Sequence, residues 1–166
     1  MLVRKAQGQD IGALWDMANA MRLVKERDYF ERNLQQQALG EREIFIALSN
    51  GAKVGWCILN WQPKYGFYKA HGIPETQDLN VLPTFRKRGI GAAMIKHCED
   101  LARAKGCKEI GISVGLDASY GPAQRLYVKL GYIPDGLGVT YDRRTVTRGE
   151  FKPVDDNLCL MMVKEL

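Results

Sequence analysis

Residues 84–94 read TFRKRGIGAAM: Arg86, Lys87 and Arg88 stand directly before Gly89 and Gly91, where an extended run closed by Pro83 gives way to an apolar helical one. That grouping has the chemistry of an anion site. The first N–H groups of a helix have no intrahelical partners and carry the positive end of its dipole. Glycine lets a phosphate come close to that backbone, and arginine can neutralise a diphosphate through bidentate hydrogen bonds. A solvated basic turn, with glycines serving chain reversal alone, would use the same residues. Two phosphate-binding patterns do not fit. A P-loop needs Gly-Lys-Ser/Thr, which is absent, and G-x-G-x-x-G would need glycine where Met94 stands.

The elements that must position this turn are legible from period and punctuation. A strand is expected over residues 2–6, then a helix capped by Asp10 with Ile11, Leu14, Trp15 and Ala18 on one face. A second helix is expected over 28–39, ended by Gly40. EIFIALSNGAKVGWCILNW is two strands joined at Asn50-Gly51, a hairpin signal. Residues 62–74, with Pro63, Gly66, Gly72 and Pro74, read as an irregular connection, and ETQDLNVL as a strand. A helix over 89–105 stops at Gly106, KEIGISVG is a strand, and PAQRLYVKLG is a helix with Pro122 near its start and Gly131 beyond its end. A strand at 138–141 and a last one, LCLMMV, complete the order β-α-α-β-β-β-α-β-α-β-β. This is the pattern of an α/β (α+β) domain over residues 1–166, with a mixed sheet and helices against it.

Composition sets outer bounds. Hydrophobic residues are 46% and charged residues 26% of 166, which is ordinary for a globular chain, and no apolar run is long enough to span a bilayer. MLVRKAQGQD lacks a secretory h-region, and Cys57, Cys98, Cys107 and Cys159 show no C-x-x-C spacing. The expectation is a cytoplasmic protein with free thiols and no metal. The net charge of +5 favours an anionic partner without identifying it.

DLNVLPTFRKRGIGAAMI resembles the acyl-coenzyme A signature of the GCN5-related N-acetyltransferase (GNAT) superfamily, R/Q-x-x-G-x-G/A, here Arg86 to Gly91. A second family block, around A-x-x-L-Y-x-K-x-G-Y/F, is matched by AQRLYVKLGY, residues 123–132. The resemblance covers nearly the whole chain. It implies a mixed, mainly antiparallel sheet of about six to seven strands flanked by about four helices, with acetyl-coenzyme A as co-substrate. It further implies a pyrophosphate on the backbone of Arg88, Gly89, Ile90, Gly91 and Ala92, flanked by Arg86 and Lys87. The pantetheine arm would run along Leu79, Asn80, Val81 and Leu82 as an added strand does. The family often carries asparagine three residues before the helix alanine; here that residue is Tyr120, so Ser119 or Tyr120 is left to contact the arm.

The acid–base groups follow. By spacing alone, Tyr127 belongs to a buried stripe with Ala123, Leu126 and Leu130. By the resemblance, it is the acid that protonates the departing thiolate, and reference pKa values of about 8.5 for a thiol and 10 for a phenol allow that donation. Glu75 lies eleven residues before Arg86, where one branch of the family places a general base. A primary amine is mostly protonated at neutral pH, so a base must remove a proton, directly or through water. Asp78 is the alternative carboxylate, placed on the opposite face by strand alternation.

The function expected is acetyl transfer to a primary amine by direct attack. An inactive acyl-coenzyme A sensor is a second reading, and nucleic-acid binding through the basic turn ranks below it, because the other cations are interleaved with acids. The acceptor would be an amine-bearing small molecule or peptide, with no nucleic acid and no membrane as partner. Tyr65, Phe67, Tyr68, Trp56 and Trp61 either line its site or pack the first hairpin. In this family GVTY and LCLMMV often pair two copies, which would give a homodimer.

Overall fold

The computed structural model describes residues 1–166, which form eight strands and five α-helices in two compact units. The first unit comprises residues 1–61 and 76–100, the second 62–75 and 101–166. The strand count is slightly above the six to seven expected.

In the first unit the strand order is β1 (Leu2–Lys5), β2 (Arg42–Ser49), β3 (Ala52–Asn60), β4 (Glu75–Val81). β1 and β3 run antiparallel to β2. The β2–β3 turn is Asn50-Gly51, both with positive φ (49° and 81°), the geometry a two-residue hairpin needs to match strand twist. Helices α1 (Ile11–Ala20) and α2 (Tyr29–Ala38) bury Leu14, Met17, Ala18 and Phe30 against Ile44, Ile46, Trp56 and Ile58. Phe30 meets Trp15 and Trp56 edge-on at 4.9 and 5.5 Å. Asp10 precedes α1 as expected, yet its carboxylate does not cap that helix. It is fully buried and accepts from the Gln7 amide (2.9 Å) and from Arg4 (2.7 and 2.8 Å), with Lys53 at 2.7 Å. Two cations outcompete one helix amide for a single carboxylate.

The second unit orders its strands β5 (Glu109–Gly115), β8 (Leu158–Glu165), β6 (Ile133–Tyr141), β7 (Arg144–Thr145), each antiparallel to its neighbour. α4 (Ile90–Ala104) enters it with its last turn, and α5 (Gly121–Lys129) precedes β6. The stretch expected to be irregular contains a short helix, α3 (Gly66–His71), because Gly66 and Gly72 punctuate a helix rather than a loop. Tyr65 and Tyr68 pack with Ile73 and Met161, and Trp56 sits in the first unit's core. β6 is longer than the strand expected at 138–141, and a register shift between Pro134 and Val139 absorbs Gly136 and Gly138.

Candidate active site

In the first unit, β4 ends at Val81, a short 3-10 turn spans Pro83–Phe85, and α4 opens at Ile90. Arg86, Lys87, Arg88 and Gly89 are exposed between them. Lys87 (60°) and Gly89 (80°) have positive φ, a backbone conformation that anion-binding nests use. A Cβ at Gly89 would meet nothing within 4 Å, so the space over this backbone is open. Ala93 N–H donates to the Gly89 carbonyl at 3.0 Å, the first bond of the helical ladder. The amides of Ile90, Gly91 and Ala92 therefore have no partner inside the helix. Arg86 Nε donates to the Val81 carbonyl (3.0 Å), tying the guanidinium to the end of β4, and Arg88 lies over the Phe85 ring at 5.3 Å. These residues fit a diphosphate: open backbone donors, a helix N-terminus and three exposed cations.

Leu79, Asn80, Val81 and Leu82 are half-buried along β4. Asp78 has φ +49°, so simple alternation of faces breaks down there. Gly55 on β3 makes room for the distorted segment, since a Cβ at that position would lie 2.4 Å from the Asn80 carbonyl oxygen. The Asn80 amide is turned onto Asp78, donating to its carbonyl at 3.0 Å and its carboxylate at 2.7 Å.

In the second unit Glu75 is fully buried, with Oε1 3.0 Å from Nη2 of Arg143. Arg143 belongs to the turn between β6 and β7, where Asp142 and Arg143 both have positive φ (49° and 64°). For such a carboxylate the guanidinium favours the charged form and burial opposes it. Sequence reasoning did not find Arg143, and a hairpin turn 68 residues downstream gives no local signal of this partner. Tyr127 is the buried residue of α5, its ring 6.3 Å from that of Tyr132. Ser119 and Tyr120 lie on a 3-10 turn, Ala118–Tyr120. The Tyr120 hydroxyl donates to Asp156 at 2.9 Å, and its ring fills the place of a Cβ at Gly115. Burial, followed by the Asp156 bond, pushes its phenol well above the ordinary value. His71 is exposed and its Nδ1 lies 2.9 Å from the Phe67 carbonyl, a local helical contact.

A strand, a basic glycine turn and an open helix N-terminus are the marks of an α/β protein built to take a phosphorylated ligand on backbone amides. The sequence model of the Acetyltransferase (GNAT) family matches residues 11–132, running through both units, and the chain belongs to that family. It is 33% identical over 106 residues to an aminoalkylphosphonate N-acetyltransferase of Salmonella typhimurium, a match spanning 64% of each chain. It is 26% identical over 133 residues to a thialysine N-epsilon-acetyltransferase of Bos taurus, covering 69% of this chain and 74% of that protein. Its fold is that of yncA from Salmonella typhimurium, solved with acetyl-CoA, at TM-score 0.69 and 16% identity over 99% of this chain and 93% of that one.

Proposed function

We propose that this protein is an N-acetyltransferase that moves the acetyl group of acetyl-coenzyme A to a primary amine by direct attack. The observation that carries the reading is the turn from Arg86 to Ala92, with its positive-φ glycine and open space over the backbone. The names of the two relatives support it, both being N-acetyltransferases of aliphatic amines. Bound acetyl-coenzyme A would supply an activated acyl carbon and a thiolate leaving group. Arg88 to Ala92 hold the pyrophosphate on backbone amides while Arg86 and Lys87 offset its charge. The β4 backbone from Leu79 to Leu82 aligns the pantetheine arm, and Ser119 with the ring of Tyr120 contacts it. Glu75 is the general base. It takes the acceptor's proton directly or through water. Tyr127 Oη holds the proton that the departing sulfur needs. The acceptor is an amine-bearing small molecule or peptide. Pairing of two copies belongs to the same reading, with the exposed Ile133 and Leu137 of β6 as apolar surface it would cover.

Calorimetric titration with acetyl-coenzyme A, on wild type and on a Gly89→Glu, Gly91→Glu double variant, tests the donor site. Micromolar binding by the wild type, lost in a folded variant, is expected. No binding by folded wild type would overturn the assignment. A panel of primary amines assayed for thiol release then tests transfer.

A further inference from the structure

Asp78 gathers four donors, three of them from distant parts of the first unit and the fourth from Asn80, two residues along β4. Tyr29 Oη (2.8 Å) and Trp56 Nε1 (2.9 Å) donate to Oδ2, while Asn80 Nδ2 (2.7 Å) and Lys25 Nζ (2.7 Å) donate to Oδ1. The division between the two oxygens is informative. Oδ2 is held by two aromatic side chains set in or beside the core, Trp56 being fully buried. Burial, then the charge of Asp78, pushes the Tyr29 phenol far above its ordinary value, so it stays a donor. Oδ1 meets one short amide and one long flexible cation. Lys25 and Asp78 retain 18% and 13% side-chain exposure, so this side of the carboxylate is within reach of solvent. Lys25 lies in the non-helical segment between α1 and α2, next to the almost wholly exposed Val24. Its ammonium also sits 4.6 Å from the centroid of the Tyr29 ring. A carboxylate beside an aromatic face is a receptor for an alkylammonium ion. The backbone of Asp78, at φ +49°, is in a region costly for a residue other than glycine and is held there by its surroundings.

We propose that Asp78 with Tyr29 and Trp56 forms the subsite for the acceptor's ammonium group, and that Lys25 occupies it until an acceptor arrives. This rests on the transferase reading above and gives its acceptor a class, an unbranched primary alkylamine whose terminus resembles a lysine side chain. Binding then exchanges one alkylammonium for another on a carboxylate that Tyr29, Trp56 and Asn80 keep aimed. Lys25 sets the threshold that a weak amine must exceed.

The indole N–H of Trp56 touches Asp78, so its resonance in a nitrogen–proton correlation spectrum reports the subsite, assigned by Trp56→Phe. Titrating n-butylammonium chloride into Lys25→Met is expected to shift that resonance saturably, with a Kd at least tenfold below that of wild type. Adding Asp78→Asn to Lys25→Met should abolish the effect; if that double variant does not fold, the wild type against Lys25→Met, and against Lys25→Gln, already decides. A folded Lys25→Met that shows no saturable shift, or the same Kd as wild type, overturns the proposal. Thiol release from acetyl-coenzyme A separates the two readings. Ammonium binding without turnover by any amine would leave the subsite and remove the transferase, whereas turnover without ammonium binding would do the reverse.

Discussion

The Glu75–Arg143 pair offers the sharpest energetic test. Glu75 is fully buried and Arg143 is 22% exposed, with 3.0 Å between Oε1 and Nη2. Arg143→Met keeps most of the side chain's apolar length but removes the cation from a carboxylate that has no solvent contact of its own. Breaking a buried pair by deleting one partner costs about 3–5 kcal/mol. Because water can follow the shortened side chain into the space Arg143 leaves, about 2–4 kcal/mol is expected here. With a urea dependence of about 2 kcal/mol/M, the unfolding midpoint should fall by about 1–2 M. Glu75→Gln in the same background removes the charge that was stranded, so the double variant should regain stability relative to Arg143→Met alone. The double-mutant cycle in urea, followed by far-ultraviolet circular dichroism, should return a coupling of about 2 kcal/mol. Strict additivity, with coupling below about 0.5 kcal/mol, would mean that the β6–β7 turn does not dock Arg143 on Glu75 in solution.

Further outcomes follow from other parts of the molecule. Gly55→Ala puts a Cβ 2.4 Å from the Asn80 carbonyl oxygen, a backbone atom that cannot step aside; a loss of about 1–3 kcal/mol is expected by calorimetry, and an unchanged Tm would contradict the packing. The hydrogen bonds from Arg4, outweighing the opposing effect of burial and reinforced by Lys53, hold Asp10 well below the usual carboxylate range. Its stabilisation is therefore complete above the unfolded pKa of about 3.9 and is lost as pH falls below that value toward the lower folded one. Asp10→Asn should flatten the acid limb of the stability profile below about pH 4, and an identical limb in both proteins would refute the assignment. Tyr127→Phe should lower kcat for thiol release by about a hundredfold while acetyl-coenzyme A still binds in calorimetry. Equal turnover by the variant would remove Tyr127 as the acid.

Most of the fold's elements are readable from local pattern. Helical period, glycine stops and the Asn50-Gly51 hairpin each depend on residues within a turn or two of one another, and the structure places those elements within a few residues of the expected bounds. The departures arise where one residue type serves two ends. Gly66 and Gly72 bound α3 instead of breaking the chain, and the glycines of β6 are absorbed by a register shift that only its pairing with β8 defines.

The candidate site divides along the same line. The sequence by itself determined the basic glycine turn, because strand end, cations, positive-φ glycine and helix start are consecutive and their chemistry needs no distant partner. Tertiary structure alone decided what the carboxylates do. Arg143 reaches Glu75 across 68 residues of chain, and Lys25, Tyr29 and Trp56 reach Asp78 from 53, 49 and 22 residues away. The positive φ of Asp78 is likewise something strand period does not encode. A carboxylate's charge state and freedom are set by whichever groups the packing brings within hydrogen-bond reach, and strand register and helix docking, which no local period encodes, choose those groups.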